Sequence, residues 1–281
     1  MTWALLKIGF AAIGLAGCAE INVPSDTSAA EGVDLSRVTA SQLSSEIRRG
    51  ELTAVDATQY YLARIAAHNR AGAQLHAVIE IDPTALEQAA ALDALAAQGL
   101  YRGALHGVPV LIKDTIDAEG LATTAGSLAL AGNVAVDDAA IVARLRAEGA
   151  IVLGKTNLSE WSNFRGRDVP AGWSAMGGQT RNPYSVDHSP CGSSSGSAVA
   201  ITAGFAPLSL GAETNGSLIC PAAVNGVVAF KPSVGLLPQD GMLLVSNSQD
   251  TAGPMARSVT DIALAFDIMH LAGEQSDPES Y

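Results

Sequence analysis

The sequence predicts an α/β domain built on a mainly parallel or mixed β-sheet flanked by helices. Three observations carry that expectation. Short apolar runs of strand length alternate with longer stretches of helical periodicity. Hydrophobic residues make up 48% of the 281 positions and charged residues 16%, which allows a sizeable core and argues against disorder. Clusters of Gly, Pro, Asn and Ser separate the runs. No internal repeat and no second domain boundary stand out, so a single domain is expected over residues 35–281.

The elements follow in order. Thr39 followed by Gln42 has the pattern of a capping box, and Thr53 followed by Asp56 is a second N-terminal helix signal. Beyond Thr53 the apolar pattern runs through Val55, Tyr60, Leu62 and Ile65. Asp82-Pro83 opens a third, Ala-rich helix that Gly99 closes. Residues 108–112 read as a buried strand with Pro109 near its start, residues 137–149 as a helix, and residues 151–153 as the next strand. Residues 166–192 read as a long loop. A helix over 195–204, strands over 207–210 and 227–230, and a capped amphipathic helix over 258–273 complete the series.

The first 18 residues read as a targeting segment. Lys7 is the positive end, an apolar stretch follows, and Leu15-Ala16-Gly17-Cys18 resembles the bacterial lipobox. The apolar run is too short for an ordinary transmembrane helix. Cys18 would then carry the lipid, and residues 19–34, small and polar, would be a tether. Ala19 stands where an inner-membrane retention signal would favour Asp, so the outer membrane is the expected address. The expected product is an exported, membrane-anchored lipoprotein on the periplasmic face. The formal net charge of -12 argues against nucleic-acid binding, which needs basic stripes. With Cys18 set aside, Cys191 and Cys220 remain. An exported location permits a disulfide between them, but two small buried thiols are the expectation from sequence.

Three motifs compete for the chemistry. Gly149-Ala-Ile-Val-Leu-Gly-Lys155-Thr156 satisfies the P-loop pattern. A P-loop needs a strand before its first glycine and a flexible cradle after it; here a helix precedes Gly149 and the intervening residues read as a strand. Gly192-Ser-Ser194-Ser-Gly196 matches a nucleophile elbow, completed in order by Asp250 or Asp261 and then His270. An elbow is a strand-to-helix turn, whereas residues 182–190 read as a loop and His270 falls within an amphipathic helix. The third set is dispersed: Leu105 to Asp114 with Lys113, Pro190 to Ser197 with Ser193, and Gly211 to Ala222 with Ser217. A lysine directly after an apolar strand can be desolvated into a neutral base, and two serines with a lysine are the parts of a Ser-Lys nucleophilic device. Taken singly, Lys113 also fits a surface lysine, and the Ser/Gly loops fit ordinary turn chemistry.

These segments, with residues 154–161, resemble the amidase signature family over residues 35–273. The resemblance implies the amidase signature fold, a mixed β-sheet flanked by helices. It also implies a cis peptide before Ser193 and roles for three residues: Lys113 as base, Ser193 as bridging serine and Ser217 as nucleophile. Backbone N–H groups of Thr214, Asn215 and Gly216 would hold the oxyanion. Within the family, Cys191 to Gly196, Leu218 to Pro221 and Gln249 to Arg257 are most similar to the peptide amidase branch. That branch releases ammonia from C-terminal peptide amides. Ile219 and Asn215 replace the Arg and Gly of most members, as they do in that branch, and argue against a transamidating subunit. Alternatives are an aryl or fatty acyl amide hydrolase and a non-catalytic binding lipoprotein. The implied partners are a small amide or peptide-amide substrate and, through the anchor, a membrane; no metal or other cofactor is implied. Complete members continue well beyond Tyr281, so the chain is expected to hold the N-terminal portion of the domain, with the C-terminal part missing.

Overall fold

A computed structural model describes residues 34–164, 166 and 168–270. The expected leader with Cys18, the expected tether up to residue 33 and the segment after residue 270 lie outside the described residues.

The chain opens with helix α1 (Ala40–Arg48) and helix α2 (Ala54–His68), each started by the predicted cap. Thr39 accepts the Gln42 N–H while the Gln42 side chain accepts the Thr39 N–H, and Thr53 accepts the Asp56 N–H. Strand β1 (Val78–Ile81) and helix α3 (Ala85–Ala96) follow. Next come β2 (Pro109–Lys113), α4 (Ala140–Ala147) and β3 (Ile151–Thr156). Two-residue strands β4 (Trp173–Ser174) and β5 (Gly178–Gln179) pair within the expected long loop. The remainder is α5 (Ser195–Ala203), β6 (Leu208–Glu213), α6 (Ile219–Asn225), β7 (Val228–Ala229), β8 (Thr251–Ala256) and α7 (Val259–Met269).

Six strands form one mixed sheet in the order β1-β3-β2-β6-β8-β7. β2 runs parallel to both β3 and β6, while β1, β7 and β8 pair antiparallel with their neighbours. β2 is central and buried on both faces, which is why it reads as an unbroken apolar run. Its side chains alternate between two cores. Val110 and Ile112 pack with α4 and α7, through Ile141, Leu145 and Ile262. Leu111 packs on the other face with Leu43, Tyr61 and Val199 from α1, α2 and α5. The result is a helix–sheet–helix sandwich.

β1, β8 and α6 lie outside the predicted series. β8 contains Gly253 and Pro254, residues that normally argue against a strand with neighbours on both sides. Both are accommodated. A Cβ at Gly253 would collide with the Phe230 carbonyl oxygen and the Leu218 side chain. Pro254 contributes its carbonyl, which accepts the Phe230 N–H at 3.2 Å just past the end of β7.

Candidate active site

The site lies at the carboxyl ends of the parallel strands, where open α/β sheets commonly gather their chemistry. Lys113 is the last residue of β2 and is buried. Its Nζ lies 2.7 Å from Ser193 Oγ and donates to the Ala212 carbonyl of β6 at 3.0 Å. Burial pushes the amine down to about 7 from its usual 10.5, opposed by the negative charges of Asp250 and Glu213. A large share of such an amine is neutral near pH 7 and free to accept a proton.

Ser193 sits in the loop that leads into α5. The Gly192–Ser193 peptide is cis, as the resemblance implies. The loop is tied on several sides. Ser159 N–H donates to the Ser193 carbonyl at 3.1 Å, and Ser195 Oγ donates to the Cys191 carbonyl at 2.6 Å. Gly192 is required for space, because a Cβ there would run into Ser159 Oγ. Ser194 N–H donates to the Ser217 carbonyl at 3.1 Å, which brings the Ser193 and Ser217 loops side by side. Ser193 Oγ and Ser217 Oγ do not themselves form a hydrogen bond; catalytic contacts often close only with substrate bound.

Ser217 precedes α6 in a turn organised by Glu213. Gly216, at φ 76°, supplies the left-handed residue that this turn needs. The buried Glu213 carboxylate accepts N–H groups from Gly216 at 2.6 Å, Leu218 at 2.7 Å and Ile219 at 3.1 Å. These amides would otherwise be orphans at the helix start. Of the three amides expected to hold an oxyanion, Gly216 is therefore committed to Glu213. Those of Thr214 and Asn215 donate to no acceptor among the described residues.

Cys191 and Cys220 form a disulfide, with Cα atoms 5.9 Å apart. The expectation of two buried thiols is thereby corrected. Both residues are half-buried, at the surface seam where the Ser193 loop meets α6. Asn225 Nδ2 holds that seam by donating to the Pro190 and Pro221 carbonyls.

The competing motifs resolve into structural roles. Residues 151–156 of the P-loop pattern are strand β3, and Lys155 is buried against Asp114 at 3.6 Å, donating to Thr123 Oγ1 and the Ala122 carbonyl. Ser194, centre of the elbow pattern, is buried and exchanges hydrogen bonds with the Ala212 backbone. Asp261 caps α1 through Ala40 N–H, Ser41 N–H and Ser41 Oγ, and His270 ends α7. Glu213 and Ser159 are site residues that motif reading passed over. An acidic residue just before a helix start was the available signal for Glu213; Ser159 lies in the family-like segment 154–161, but its contacts to Ser193 and Gly172 are between distant segments and have no local signal.

Comparison with known proteins bears on the family and the fold. The Amidase family profile matches residues 56–280. The native peptide amidase of Stenotrophomonas maltophilia is 56% identical, with a TM-score of 0.81 over 83% of this chain and 48% of that one. A peptide amidase in complex with the competitive inhibitor chymostatin is 55% identical, with a TM-score of 0.82 over 86% of this chain and 49% of that one. A probable amidase of Arabidopsis thaliana is 47% identical over 77% of this chain and 42% of its own length. The chain spans less than half the length of the curated relatives it matches. The profile match, the mixed sheet and the similarity to these proteins together establish that the chain belongs to the Amidase family.

Proposed function

We propose that this protein hydrolyses a carboxamide C–N bond through Lys113, Ser193 and Ser217, with C-terminal peptide amides as substrates. The observation that carries the reading is the buried 2.7 Å contact between Lys113 Nζ and Ser193 Oγ, beside the Ser217 turn. Neutral Lys113 takes the proton of Ser193, Ser193 takes that of Ser217, and Ser217 Oγ attacks the amide carbonyl. The amides of Thr214 and Asn215 receive the developing oxyanion; one such donor is worth roughly 3–4 kcal/mol. The relay then returns a proton to the departing nitrogen, ammonia leaves, and water cleaves the acyl-enzyme by the same path. The bond from Lys113 to the Ala212 carbonyl aims the amine, so its lone pair is directed at Ser193 rather than wandering.

The choice of peptide amides is supported by similarity to the two peptide amidase structures. A panel of peptide amides against anilides and fatty acyl amides, read as ammonia or amine release by the full chain, tests it. Ammonia release favouring peptide amides is the expected result. A preference for anilides would move the substrate class, and turnover of neither would reject the hydrolase reading.

The lipobox reading adds that the protein is exported and anchored through Cys18. The Cys191–Cys220 disulfide supports it, since such bonds persist in oxidising compartments. Cys18→Ser is expected to shift the protein from the membrane to the soluble fraction on cell fractionation. Unchanged membrane partition would reject the anchor.

A further inference from the structure

Asp250 immediately precedes β8 and is buried. Its Oδ2 accepts the Val245 N–H at 2.6 Å, while its Oδ1 is buried with no hydrogen-bond partner among the described residues. A buried carboxylate oxygen left without a partner is costly, so such groups call for an explanation. The β6–β8 register pairs Glu213 with Thr251 and Ala212 with Ala252. Lys113 Nζ donates to the Ala212 carbonyl, so the amine lies against the end of the strand pair into which Asp250 leads.

A protonated lysine has three N–H donors, and two directions are already taken, toward Ser193 Oγ and the Ala212 carbonyl. The charged groups around it are few. From β6, Glu213 has both oxygens engaged by the amides of Gly216, Leu218 and Ile219. From β3, Lys155 turns to Asp114, and Asp114 is itself engaged by Thr124 and Gly126. From the start of β8 comes Asp250, whose negative charge acts on the amine more strongly than that of Glu213.

We propose that Asp250 is the counter-charge of Lys113: a positioning residue that balances the ammonium formed when Lys113 receives the Ser193 proton and keeps it directed at Ser193. The inference deepens the amide-hydrolysis reading and rests on it for the role of Lys113. It adds a residue that touches neither substrate nor reacting atoms.

The chain contains four lysines, so labelling with lysine carrying carbon-13 at Cε yields few signals, and Lys113→Met identifies the one at 113. Asp250→Asn keeps an acceptor for Val245 and removes the charge. The Lys113 signal in the full chain is expected to titrate lower in Asp250→Asn than in wild type, by on the order of one pH unit. The acidic limb of kcat/KM for amide hydrolysis should move down with it. An unmoved Lys113 midpoint would overturn the proposal, whatever the activity. A moved midpoint in a protein without amide hydrolysis would support the Lys113–Asp250 coupling and count against the hydrolytic reading alone. Should Asp250→Asn not fold, Asp250→Ser, which also offers an oxygen to Val245, carries the same readout.

Discussion

Ser217→Ala should lose amide hydrolysis by about 10⁴-fold or more, because removing a covalent nucleophile disables the whole relay at once. The fold should not notice. Ser217 Oγ makes no hydrogen bond among the described residues, so its removal strands no buried partner. The turn is held through backbone groups instead, by Glu213 on one side and by Ser194 N–H to the Ser217 carbonyl on the other. The expected result is an inactive protein with a wild-type thermal midpoint and no labelling by a fluorophosphonate probe. Substantial residual turnover, or a probe adduct on Ser194, would refute the assignment of the nucleophile.

Lys113→Met should lower turnover by about 10²–10⁴-fold, the usual worth of a positioned general base. In wild type the rate should fall as pH drops through about 7, because protonation of Lys113 removes the base. Stability should change with pH in the same direction as activity, but over a higher window. The folded protein holds Lys113 at about 7, while the unfolded chain keeps it protonated up to about 10.5. Between those values the unfolded state binds more protons, so wild-type stability rises with pH across this window and the penalty is complete below pH 7. Lys113→Met escapes that penalty. It should melt higher than wild type at pH 7, with the difference shrinking toward pH 10. Equal melting temperatures at pH 7 would contradict a desolvated Lys113, and full activity at neutral pH would remove it as the base.

Much of this arrangement was legible in the sequence where a local rule governed the outcome. Thr39 and Thr53 started their helices because capping depends on residues three apart. β2 was readable because a strand buried on both faces is apolar without interruption. Lys113, Ser193 and Ser217 stood out through their flanking motifs. What was hidden depends on contacts between distant segments. β8 was obscured by Gly253 and Pro254, tolerated only because Phe230 and Leu218 crowd one and β7 stops short of the other. Nothing near Asp250 announces that its charge acts on a lysine 137 positions away. The pairing of Cys191 with Cys220 likewise follows from α6 folding back onto the Ser193 loop.

The disulfide has a geometric consequence for the proposed reaction. It joins residues 29 apart, and both Ser193 and Ser217 lie between its ends. The two hydroxyl-bearing loops are thus neighbours on one closed covalent loop that also threads α5 and β6. Fluctuations that would carry one serine away from the other must deform the loop as a whole. Chain closure therefore suppresses the large, slow excursions of the distance that the proton would cross in the proposed relay, leaving the small amplitudes that a packed strand and helix permit.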